Sequence, residues 1–173
     1  NAILDTLSNA TGYTLTIDEA TAALNNFTIG SPLTGVVTIA GSGAVSFNGS
    51  LSVATGTVYG GTGNFTVAGT TGGTIDTNDV SLNNRTWSFA PASAASWQLL
   101  SAWRPGTAAV TFGANSSFDA NDFGINARPP ITISGAAGSR TFLWGSGTMS
   151  LGGFTHNPTG TVAGYTFNAE TST

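Results

Sequence analysis

The chain has no cysteine, no lysine, one histidine and, in 173 residues, only four basic and eight acidic side chains. Each shortage excludes a chemistry. Without cysteine there is no disulfide, no thiolate nucleophile and no cysteine-based zinc site. The four cations, Arg85, Arg104, Arg128 and Arg140, lie far apart in sequence and make no basic run. A nucleic-acid backbone would find no positive footprint, and an anionic membrane surface no polybasic segment. No apolar stretch is long enough to cross a bilayer as a helix. Asn1 opens the chain without a methionine, as expected of a processed chain, and no signal peptide is read in it.

Titratable groups are too few to suggest a catalytic set. His156 sits in "GGFTHNPTG", where flanking glycine and proline read as an exposed loop. No G-x-S-x-G elbow and no P-loop is present. The carboxylates Asp5, Asp18, Glu19, Asp76, Asp79, Asp119, Asp122 and Glu170 offer no privileged pair for glycoside hydrolysis outside one repeated motif. The expectation is therefore a protein that is not an enzyme.

What the chain does have is glycine (24), threonine (28) and serine (18). Residues 35–69, "GVVTIAGSGAVSFNGSLSVATGTVYGGTGNFTVAG", contain nothing ionisable. Val37 and Ile39 alternate with Thr38, and the same spacing recurs at Val45/Phe47, Leu51/Val53 and Phe65/Val67. A period of two marks half-buried strands with a hydroxyl-bearing outer face. The breaks carry turn residues, and Asn48-Gly49 between two alternating runs predicts a type I′ hairpin. Further strands are expected at 13–17, 80–82, 86–89, 108–112, 131–134, 141–144, 148–151 and 161–167. Two helical pieces are expected: a short turn over 19–24 capped by Asp18, and a helix over 91–103. The longer one starts at Pro91, aligns Trp97, Leu100 and Trp103 on one stripe, and ends at Arg104-Pro105-Gly106.

One motif occurs twice. "TIDTNDVSLNNR" (74–85) and "SFDANDFGINAR" (117–128) share an apolar-Asp-x-Asn-Asp-apolar-x-apolar-Asn-x-Arg pattern at an offset of 43 residues. A degenerate third copy runs through 149–157. Such an offset suggests duplicated β units or paired rungs of a solenoid. Asp76, Asn78 and Asp79, with Asp119, Asn121 and Asp122, gather the hard oxygen ligands that calcium takes. The calcium-loop pattern breaks at Phe123 and Pro130, so structural Asx turns are the favoured reading and calcium the lesser one. No other cofactor is expected. Arg85 and Arg128 are the expected partners of these carboxylates. Six N-x-S/T sequons (Asn9, Asn26, Asn48, Asn64, Asn84, Asn115) are close to the number chance would give.

The favoured architecture is a single all-β domain over 1–173, an antiparallel sandwich or jelly roll with one short helix at about 91–103. A β-solenoid with a helical insertion is the alternative. In texture the chain resembles the Gly/Thr/Ala-rich β-proteins of phage particles and of bacterial or archaeal surfaces. No family motif carries that resemblance. The expected function is a non-enzymatic structural subunit of a virion, such as a head-decoration, tail or fibre protein. A secreted filament or adhesin subunit is the alternative, and a carbohydrate-binding module using exposed tryptophan is a third. The expected place is a virion surface or the extracellular space. Partners are further copies, other subunits of the assembly, and a glycan if the third reading holds. An arm over 1–17, through Ile3, Leu4, Leu7, Tyr13, Leu15 and Ile17, is expected to contact a neighbouring subunit, since alone it would expose apolar surface and a strand edge.

Overall fold

A computed structural model describes residues 2–4, 13–16, 21–29, 37–60, 62–82, 85–126, 129–135, 140–157 and 165–168. Strands follow one another around three faces. The first turns carry β1 (Ala2–Leu4), β2 (Tyr13–Thr16), β3 (Thr21–Leu24), β4 (Phe27–Ile29), β5 (Val37–Ala40), β6 (Ala44–Phe47), β7 (Leu51–Val53), β8 (Thr57–Tyr59) and β9 (Phe65–Val67). The later turns carry β10 (Gly72–Asp76), β11 (Trp87–Phe89), β12 (Ala95–Leu99), β13 (Val110–Phe112), β14 (Ser116–Asp119), β15 (Pro130–Ser134), β16 (Arg140–Leu143), β17 (Gly153–Asn157) and β18 (Tyr165–Asn168).

Face one is the eight-stranded sheet β1-β4-β7-β10-β12-β14-β16-β18, and face three is the seven-stranded sheet β17-β15-β13-β11-β9-β6-β3. Face two is β2-β5-β8, after which single parallel bridges link Ser81 to Arg104, Trp103 to Ile125 and Ile125 to Met149. Every pairing is parallel, and each partner lies one turn away: Phe27 pairs with Leu51 and Leu51 with Ile75. This is a β-solenoid. The antiparallel sandwich is thereby overturned, and the solenoid alternative fits.

The hairpin expected at Asn48-Gly49 is instead a corner. β6 belongs to face three and β7 to face one, so the chain bends there rather than reversing. The glycine has a different cause from the one inferred: a Cβ on Gly49 would lie 2.2 Å from Asn26 Oδ1 of the preceding turn. Rungs of parallel sheet stack about 4.8 Å apart, which leaves no room for a side chain pointing along the stack.

Neither expected helix forms among the described residues. Residues 21–24 are β3, and 95–99 are β12. In β12, Ala95, Trp97 and Leu99 point inward while Ser96 faces out, and Leu100 at the following corner is exposed. Period two thus governs this segment, not the helical stripe. A strand here gains ladder bonds on both sides, from β10 and β14, which a helix would forfeit.

The interior is a column of rings. Phe65 and Trp87 are register partners with centroids 4.5 Å apart, as are Phe89 and Phe112. Trp87 meets Trp103 edge to face at 5.0 Å. Parallel stacking of like positions makes this possible, because each inward ring lies over one from the turn before. Burying each such side chain contributes roughly 1.5–3 kcal/mol before chain entropy is counted. Two buried arginines finish the interior at its corners. Arg140 donates from Nη1 to the carbonyls of Ser134 (2.8 Å) and Gly113 (3.2 Å), and from Nη2 to that of Gly135 (2.9 Å). Arg85 donates to the carbonyl of Gly63.

Candidate functional site

The repeated Asp-x-Asn-Asp motif occupies the corner where the chain leaves face one. Asn78, Asp79, Asn121 and Asp122 all adopt positive φ, between 47° and 62°. Short polar side chains tolerate this left-handed region better than others because they bond locally. Asp76 Oδ1 accepts the Asn78 N–H, and Asp119 Oδ1 accepts the Asn121 N–H, each an Asx turn. Each asparagine amide then reaches one turn back, Asn78 to the Val53 carbonyl (2.9 Å) and Asn121 to the Leu99 carbonyl (3.2 Å). The intervening turn uses serine: Ser101 Oγ accepts from the Thr77 and Asn78 N–H groups. The 43-residue echo therefore marks every second turn. The copy read through 149–157 lies elsewhere, on the Met149 bridge and β17.

The carboxylates are spent on this geometry. Asp122 Oδ1 accepts both the N–H and the hydroxyl of Ser146, which holds its carboxyl below the usual range. Asp79 makes a two-point ion pair with Arg104, at 2.6 and 2.7 Å, and the hydrogen bond to Asp79 raises the guanidinium further. The arginine meeting Asp79 is thus Arg104 rather than Arg85, which is buried, or Arg128, which lies outside the described residues. Asp119 Oδ2 accepts from Gln98. No group of three or more His, Cys, Asp or Glu placed to hold a metal occurs among the described residues.

The tryptophans form no sugar platform. Trp87, Trp97 and Trp103 are 0% exposed and Trp144 is 3% exposed. All four belong to the ring column, which removes the observation on which the tryptophan-based carbohydrate reading stood. His156 lies on β17, a strand whose residues are all exposed, rather than in a loop.

Of the expected assembly residues, Ile3 and Leu4 lie on β1, which pairs with β4 of the same chain. Tyr13 and Leu15 lie on β2, which pairs with β5. Leu7 and Ile17 fall outside the described residues. β1, β2 and β3 are the first described strands of their faces, each with a partner on one side among the described residues. β17 is the last described strand of face three. Its Phe154 is 43% exposed, whereas its register partner Ile131 is 1% exposed.

A groove that sequence reasoning missed lies at the corner from face three to face one. It encloses about 530 Å³ between successive turns, lined by Asn25, Asn26, Asn48, Gly49, Ala68, Gly69, Thr70 and Thr71. It accompanies a lengthening of the connection between register partners, from two residues (Leu24 to Phe27) and three (Phe47 to Leu51) to seven (Val67 to Ile75). Only the count of residues between periodic pairs could have revealed it, and that count needs the strand bounds first. Of the sequons, Asn48 and Asn64 are exposed, while Asn26 Oδ1 accepts the Ser50 N–H (2.7 Å). Searches against protein-family models, curated proteins and solved structures give no match.

Proposed function

We propose that the chain is a non-enzymatic structural subunit of an extracellular or virion assembly. The first form is a phage-particle component (head decoration, tail or fibre) and the second a surface filament or adhesin subunit. The carrying observation is a contrast within face three. Between its outermost described strands, every strand is paired on both edges and outer positions are mostly hydroxyls. On β17, the last described strand of face three, Phe154 is 43% exposed, and among the described residues β17 pairs only with β15. Solenoids need polar caps to stay apart, and an exposed apolar side chain beside an edge without a described partner favours joining to another chain.

The test is light scattering with electron microscopy across a concentration series. The whole chain should form elongated species. Phe154→Asp, and separately deletion of residues 1–12, should give folded but less assembled protein. A chain that stays monomeric at every concentration, alone and with purified particles or filaments of its source, overturns the proposal. Mass spectrometry of those particles against cell-surface fractions separates its two forms.

A further inference from the structure

We propose that the corner groove is a binding site for a neutral glycan, independent of the assembly reading above. The groove is built in three consecutive turns. Glycine lets these turns meet: a Cβ on Gly69 would fall 1.5 Å from the Asn48 carbonyl oxygen, and one on Gly49 2.2 Å from Asn26 Oδ1. The walls of the groove carry exposed amides at Asn25 and Asn48 and exposed hydroxyls at Thr70 and Thr71. Among the described residues, none of these four side chains makes a hydrogen bond. The neighbouring Asn26 shows the contrast, with its amide oxygen used on Ser50.

The donor and acceptor balance selects the ligand class. An asparagine amide offers two donors and one acceptor oxygen, and a threonine hydroxyl offers both kinds at once. Sugar hydroxyls likewise donate and accept, so both functions on the wall find partners. Among the described residues, no arginine, aspartate, glutamate or histidine lines the groove. An anionic ligand would give up its hydration with no cation in return, and a cationic one would meet no carboxylate. The volume lies in the range of small-ligand sites.

The probes are neutral oligosaccharides of glucose, galactose, mannose and N-acetylglucosamine, with sulfated and sialylated glycans as the charged set. Binding is read by array and then by calorimetry. At least one neutral glycan should bind. Asn48→Ala and Thr71→Ala should each weaken it about tenfold, the scale of one lost polar contact. Thr155→Ala, on face three, should leave it unchanged. Circular dichroism confirms that the exposed substitutions fold. Three results would overturn the site: no neutral glycan bound at ~10 mM, a concentration that reveals even millimolar dissociation constants; binding that survives both groove variants; or stronger binding of the charged set. Assembly is measured separately by scattering, so loss of either proposal leaves the other standing.

Discussion

Three glycines separate two reasons for lacking a side chain, and alanine at each should rank them. At Gly69 the reason is space. The new Cβ would meet the Asn48 carbonyl at 1.5 Å and its carbon at 2.4 Å, both backbone atoms that cannot swing away. The turns must part, which strains the bond from the Ala68 N–H to the Phe47 carbonyl, now 3.0 Å. Overpacking costs ~1–3 kcal/mol and a lost backbone hydrogen bond ~1 kcal/mol, so Gly69→Ala should lose about 2–4 kcal/mol. At Gly56 the reason is conformation alone: φ is +83° and nothing lies within 4 Å. Alanine there should lose about 1–2 kcal/mol. At Gly153 neither reason applies, since no atom lies within 4 Å and φ is not positive. Alanine there should be neutral or gain ~0.4–1 kcal/mol by stiffening the unfolded chain. Urea unfolding followed by circular dichroism gives the order from the midpoints, provided the slopes agree. Equal midpoints for Gly69→Ala and Gly153→Ala would refute the claim that inter-turn contact fixes these glycines.

Other expectations follow from single interactions. The Ser146 bonds depress the Asp122 pKa, so their contribution is complete above the unfolded carboxylate pKa and is lost as pH falls through the lower folded value. Stability should therefore decline with acid below about pH 4, and Asp122→Asn should flatten that decline in thermal melts across pH. Arg140→Ala removes three hydrogen bonds that a buried guanidinium makes to half-buried carbonyls and should cost about 3 kcal/mol, visible as a lower urea midpoint. The Asp79–Arg104 pair is almost half exposed on both sides, so a double-mutant cycle should give less than ~1 kcal/mol, shrinking with salt. Fluorescence from the four buried tryptophans should be blue-shifted and resist iodide quenching, and an exposed-type spectrum would contradict the ring column.

How far the sequence reveals this fold depends on the kind of interaction. Alternation at Val45/Phe47, Leu51/Val53 and Phe65/Val67 identifies strands and their inner faces, because side-chain direction depends only on the local pleat. That pleat is the same in parallel and antiparallel sheets, so the partner of each strand stays hidden. Asn48-Gly49 then misleads. It has the composition of a reversing turn, while the glycine answers a steric demand from Asn26, a turn away. The helix expected over 91–103 fails similarly. Trp97 and Trp103 do both point inward, but from a strand and from a face-two bridge across a corner, not from one helical stripe. The Asp-x-Asn-Asp corners were legible as turns because their bonds to Asn78 and Asn121 are local. The groove was not, since it accompanies differences in length among successive connections.

The stacking of every strand on the one a turn before also determines how the molecule would bear a load. When the two ends are pulled, interior strands are held on both edges, as β11 is by β9 and β13, whereas among the described residues β1, β3, β17 and β18 each pair on one edge only, so the ladders open from the outermost turns first. A released turn, such as the 24 residues from Thr74 back to Ser50, frees about 80 Å of extended chain at ~3.4 Å per residue. Resistance along the axis would then be a series of modest, nearly equal steps, so tension is relieved by shedding turns from an end while the remaining stack keeps its shape.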